Sequence, residues 1–179
     1  MRAKKFWNQA SPIIVLTIVV TVCVSLLTYI DSITRDKIKA QEDEKVLSML
    51  SSMFPDMSSY EYEDEIYTIY TDDVEAGYAF LAISKGYGGD INIMVGLNMD
   101  TTIKEISIIS QEETPGLGTR IADPAFTGMF TGLDINDVAL SREGGKIDAL
   151  TSSTISSSAV VDAVRETALE KIKLLEAKE

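Results

Sequence analysis

No charged side chain occurs from Phe6 to Ile30, and no other feature of this 179-residue chain restricts so sharply what it can fold into. The interior of the run, Ile13 to Ile30, holds only Ile, Val, Leu, Thr, Cys, Ser and one Tyr. As a helix rising about 1.5 Å per residue it would cover about 27 Å, close to the hydrocarbon thickness of a bilayer. The composition therefore predicts a membrane-spanning helix. The alternative is a cleaved signal peptide, but the run outlasts a typical signal core, and Tyr29-Ile30-Asp31-Ser32 offers no small-x-small cleavage site. Lipoprotein processing before Cys23 would want a small residue where Val22 stands. Arg2, Lys4 and Lys5 precede the run with no acid among them, so the positive-inside rule keeps the N-terminus cytoplasmic and exports the remainder. Trp7 and Tyr29 fall where interfacial aromatics are expected. Thr17, Thr21, Ser25 and Thr28 share one helix face, either packed on a partner helix or bonded to their own helix carbonyls.

All 28 acidic side chains and all but three of the 16 basic ones lie beyond Ile30, so the exported part is strongly acidic. Such a surface repels nucleic acid. The chain has no His and only one Cys, which excludes Ser-His-Asp and Cys-His nucleophile systems, imidazole or thiolate metal sites, iron–sulfur clusters and intramolecular disulfides. Unless carboxylates serve, chemistry must come from a bound or attached group, and neither a metal site nor a catalytic side chain is expected.

The chain is expected to divide into a cytoplasmic tip and transmembrane helix (1–30), a juxtamembrane helix (31–55) and one extracytoplasmic domain (56–179). Asp36, Lys37, Lys39, Glu42, Asp43, Glu44 and Lys45 make a wet stretch past the membrane. Val46, Leu47, Leu50, Met53 and Phe54 then form an apolar helical stripe that Pro55 ends. Alternation predicts strands over Tyr60 to Thr71, Val74 to Lys85, Ile91 to Asn98 and Thr102 to Ser110. Glu112 to Gly118 reads as a shaped loop, because Pro115 lacks a ladder donor and Gly116 and Gly118 favour unusual dihedrals. Phe126 and Phe130 predict a short helix from Pro124 to Gly132. Ser141 to Gly145 predicts a turn, Lys146 to Leu150 a short strand, and Val160, Val161, Val164, Ala168, Ile172 and Leu175 a terminal helix. The order of elements is that of an α+β domain.

Three segments carry candidate chemistry. From Thr151 to Ser158 every residue except Ile155 is Ser or Thr, directly before the apolar stripe of the last helix. One or two hydroxyls suffice to cap a helix; a phosphate group held at the helix N-terminus is the functional reading. Glu113-Thr114-Pro115-Gly116-Leu117-Gly118 and Lys85-Gly86-Tyr87-Gly88-Gly89 are each explained alone as turns.

Together they resemble a family. Asp148, Leu150, Thr151, Thr154, Ser156, Ser157 and Val160 match the flavinylation motif of the FMN-binding domain in the G subunit of the Rnf electron-transport complex. The motif is similar too to that of the C subunit of the sodium-pumping NADH:quinone reductase. The family carries the Glu113–Gly118 loop and the Gly86–Gly89 turn in the same order, and the likeness covers essentially the whole chain. The resemblance implies FMN joined by a phosphoester bond to Thr154, a ring lined by Thr114, Gly116, Leu117 and Gly118, and contributions from Gly86, Tyr87, Ser153 and Ser156. The family has Gly and Ala where this chain has Ser152 and Ser153, which makes Ser153 a competing acceptor. Implied partners are the other membrane proteins of an ion-translocating ferredoxin:NAD⁺ oxidoreductase and, during maturation, an FMN transferase. The expected product is a membrane-anchored electron carrier without turnover of its own. A component of a sodium-pumping quinone reductase, a non-redox anchored binding domain and a carboxylate hydrolase using Glu112 and Glu113 are the competing readings.

Overall fold

The computed structural model describes the backbone of residues 2–177 and the side chains of residues 15–31 and 44–177. The chain forms two compact units that divide between Leu47 and Ser48. The first is helical throughout, within helix α1 (Arg2–Met53). Its described apolar side chains lie open, Leu16 and Leu27 at 64% and 68% exposure. Thr21 Oγ1 donates to Thr17 O at 2.8 Å and Thr28 Oγ1 to Val24 O at 2.9 Å, so two hydroxyls of the stripe bond within their own helix. Among the described residues no helix is long and apolar enough to cross a membrane. Ile13 and Ile14, where the expected span begins, lie outside the described side chains, as do Arg2, Lys4, Lys5, Trp7 and the wet stretch from Asp36 to Asp43.

The second unit begins with the last turns of α1. Leu50, Met53 and Phe54 are buried as the stripe predicts, while Leu47 is exposed. A five-stranded antiparallel sheet follows in simple sequential order: β1 (Ser59–Glu63), β2 (Ile66–Thr71), β3 (Val74–Lys85), β4 (Asp90–Leu97) and β5 (Ile103–Gln111). The expected strand over Tyr60 to Thr71 is two strands. Asp64 and Glu65 both take positive φ, as a two-residue hairpin turn of matching twist requires, and Lys171 Nζ holds that turn by donating to Asp64 O at 3.2 Å and Glu65 Oε2 at 3.0 Å. The turn hides in the sequence because no glycine, asparagine or proline marks it.

One face of the sheet, with Phe80, Ile91, Ile93, Val95 and Ile106, packs against helix α3 (Thr154–Glu176) through Val160, Val161, Val164 and Ala168. The connection between β5 and α3 adds Ile121, Phe126, Phe130, Val138 and Ile147 to this core. From the opposite side the Phe54 ring comes against Gly77 and Gly96. The result is the expected α+β architecture.

Two local expectations are corrected. Helix α2 covers only Pro124–Thr127, capped by Gly128. Phe130 reaches the Phe126 ring, 5.6 Å away, through later turns, and Gly132 donates to Ile103 O instead of closing a helix. Lys146 to Leu150 is no strand: only Ile147 pairs, in a single parallel bridge to Leu140, before the chain turns toward α3.

Candidate functional site

Antiparallel register brings the three candidate segments to one end of the sheet. Lys85 pairs with Asp90 across the tight β3–β4 turn, and Ile91 pairs with Gln111, so the loop leaving β5 emerges beside that turn. The core contacts of α3 deliver its first turn to the same place. A cavity of about 450 Å³ lies between them. Its walls are Tyr87 from the β3–β4 turn; Glu113, Thr114, Leu117 and Gly118 from the loop; and Ser152 to Ser156 from the start of α3. Of the nine residues expected here, seven line it; Gly86 and Gly116 do not.

Glu113 holds the three segments together. It is 6% exposed, its Oε1 accepts from Gly88 N at 3.1 Å, and its Oε2 accepts from Ser156 Oγ at 2.7 Å. A Cβ on Gly86 would run into Glu113 Oε1, and one on Gly118 would stand 2.6 Å from Glu113 Cβ. Absence of a side chain at both positions is what lets the carboxylate in. Gly116 serves differently: it takes φ +76° in open space, the left-handed turn the loop needs. In the sequence Glu113 heads a candidate segment and figures, with Glu112, in the hydrolase reading, but not as a strut between the three segments. The signal for its role is present in the surrounding glycines.

Helix α3 starts at Thr154. Ser153 occupies the N-cap position but makes no side-chain cap bond, contrary to the usual role of a serine there. Ser157 Oγ instead donates to Ser153 O at 2.9 Å and accepts from Leu150 N at 3.1 Å. Among the described residues no protein acceptor engages the amides of Thr154, Ile155 and Ser156. These free donors, at the positive end of a 23-residue helix, suit an anion. The cavity is lined by no basic side chain, so the backbone supplies the positive potential. At the rim Tyr87, Leu117 and Ile155 are 73%, 47% and 59% exposed, apolar surface beside a polar floor.

The hydroxyls differ in access. Thr154 and Ser152 are exposed into the cavity; Ser153 and Ser157 are buried; Ser156 is committed to Glu113; Ser158 accepts from Arg142 at 2.8 Å. Ser152 takes φ +85°, which favours the glycine that the flavinylation motif carries there. Asp148, the first residue of that motif, lies outside the cavity and accepts from Ser141 Oγ at 2.6 Å.

Comparison with known proteins adds independent findings. Residues 86–169 match the FMN-binding domain family. The chain is 29% identical over 166 residues to the G subunit of an ion-translocating oxidoreductase complex from Methanosarcina acetivorans, covering 85% of this chain and 88% of that one. It is 30% identical over 179 residues to the protein of the same name from Haemophilus influenzae, covering 87% and 86%. The G subunit of a proton-translocating ferredoxin:NAD(+) oxidoreductase complex from Clostridium ljungdahlii is 36% identical over 98 residues, about half of each chain. Among solved structures, the C subunit of the Na(+)-translocating NADH-quinone reductase from Parabacteroides distasonis shares the fold with a TM-score of 0.52 at 22% identity, over 62% of this chain and 61% of that one.

Proposed function

The chain belongs to the family of G subunits of ion-translocating oxidoreductase complexes, and from that premise we propose that its FMN is carried covalently, through a phosphoester bond to Thr154. It is a flavin-binding electron-transfer component of such a complex. The observation that carries the attachment reading is that Thr154 is exposed, stands in the cavity wall and takes the first position of α3. A maturing FMN transferase could reach it, whereas Ser153 is buried.

The residues present fit the group. The free amides of Thr154, Ile155 and Ser156 would hold its phosphate at the helix N-terminus. Tyr87, Thr114, Leu117 and Ile155 would hold its ring, and a cavity of about 450 Å³ lies within the usual range for such ligands. When bound, FMN supplies one- and two-electron transfer that no side chain of this sequence provides. The protein's own part is positional. Glu113 keeps the turn at Gly88 and the start of α3 at fixed spacing, and the exposed rim leaves the site open to an electron-transfer neighbour.

We propose further that residues 1–30 anchor the chain in the cell membrane with the N-terminus cytoplasmic and the domain outside, and that its partners are the other membrane proteins of the complex. The uncharged run from Phe6 to Ile30 and the open apolar side chains from Val15 to Ile30 support this. Ferredoxin as donor and NAD⁺ as acceptor of the whole complex follow the Clostridium ljungdahlii relative. The sodium-pumping quinone reductase reading has a likeness of fold at 22% identity behind it, whereas the Methanosarcina acetivorans and Haemophilus influenzae relatives, matched over 85% and 87% of this chain, are G subunits of ion-translocating oxidoreductases.

Intact mass after co-expression with an FMN transferase tests the attachment. The wild-type chain gains one FMN phosphoester and fluoresces in a denaturing gel; Thr154→Ala loses both. Retention of both by Thr154→Ala moves the bond elsewhere.

A further inference from the structure

We propose that Ser153 Oγ is a hydrogen-bond donor to the flavin phosphate, a contact this chain adds where the related motif carries alanine; the inference rests on attachment at Thr154. Ser153 is 7% exposed, lines the cavity and has no hydrogen-bond partner for its Oγ. A buried hydroxyl left unpaired is costly, so it calls for a specific reason. The common reason at this position, an N-cap bond, is absent.

Both oxygens of Glu113 are engaged, by Gly88 N and by Ser156 Oγ, and Ser153 O receives both Ser157 N and Ser157 Oγ. The residues that follow Ser153 in the cavity wall, Thr154, Ile155 and Ser156, carry amides that no protein acceptor engages among the described residues. A ligand completing such a group must offer several acceptor oxygens and carry negative charge, which describes a phosphate ester. The hydroxyl donates and a phosphate oxygen accepts. Ser153 is thus a positioning residue for the cofactor's phosphate, and the departure from alanine becomes a gain in the number of donors.

The test compares the full-length wild-type chain with Ser153→Ala, each prepared with and without a co-expressed FMN transferase, by intact mass, thermal unfolding and phosphorus NMR. Without flavin, removing an unpaired hydroxyl leaves the unfolding temperature of Ser153→Ala equal to or above that of wild type. With flavin the order reverses and the phosphoester resonance shifts, while the extent of loading stays equal. The same change in unfolding temperature in both states, or an unmoved resonance, overturns the role of Ser153. Loss of loading in Ser153→Ala would make Ser153 the acceptor and overturn it also. A wild-type chain that gains no FMN mass overturns instead the attachment reading beneath it.

Discussion

Ser156 Oγ donates to Glu113 Oε2 across 2.7 Å, tying the first turn of α3 to the loop after β5 from 43 residues away. The carboxylate is almost fully buried, and its other oxygen holds Gly88 N. One side chain therefore sets the spacing of all three walls of the cavity.

Removing either partner should cost more than the bond itself, because the survivor is left buried without its mate. Ser156→Ala and Glu113→Ala are each expected to lower stability by about 1–3 kcal/mol, with Glu113→Ala the larger. Their double mutant should fall short of the sum by about 0.5–3 kcal/mol, as expected of groups in direct contact. Denaturant unfolding of the four proteins measures it; strict additivity would mean that the bond does not hold the site.

Gly118→Ala should be more harmful than an exposed loop change has reason to be. Its Cβ would stand 2.6 Å from Glu113 Cβ, too close to be relieved by swinging the carboxylate alone. A loss of about 1–3 kcal/mol is expected from such overpacking. Flavin loading, read by intact mass, should fall with it. Gly116→Ala strains the backbone at φ +76° but meets no neighbour, so it serves as the comparison for loading.

Ser152→Gly should stabilise the chain. Left-handed backbone costs a residue with a Cβ about 1–2 kcal/mol, against an entropy cost of about 0.5–1 kcal/mol for glycine. The expected net gain of about 0.5–1 kcal/mol would appear as a raised unfolding temperature; a lowered one would show that the Ser152 side chain supports the turn.

Two carboxylates bend the pH dependence in opposite directions. Burial, with Glu143 and Glu166 nearby, holds Asp162 above its ordinary value. The folded state therefore takes up that proton first, and Asp162 contributes a stability gain as pH falls into the carboxylate range. Asp162→Asn should raise stability at neutral pH and remove that gain. Asp100 is held below its ordinary value by the hydroxyl and amide of Thr102. Its contribution is present above the unfolded carboxylate range and is lost as pH falls through the lowered value, so Asp100→Ala should matter at neutral pH and not in strong acid. Unfolding temperature measured against pH separates the two.

Much of the fold is legible in residues a few positions apart. Val74 to Lys85 alternates and forms β3 with the expected ends, and Leu50, Met53 and Phe54 bury the stripe their spacing describes. The hairpin at Asp64 and Glu65 escaped because no glycine, asparagine or proline marks it; Lys171, 106 residues away, supports it. Likewise Lys146 to Leu150 looks like a strand but finds only one pairing position.

The candidate site divides in the same way. That three short motifs share one site was implied by their resemblance to a family, and seven of the nine residues so implied line the cavity. That Glu113 would be buried as a strut, that Ser156 would be bound to it, and that Ser153 would be left with an unpaired hydroxyl could not be read from those motifs. Burial and hydrogen-bond partnership are set by what the sheet register and the packing of α3 bring together from distant parts of the chain, and only the folded molecule decides those.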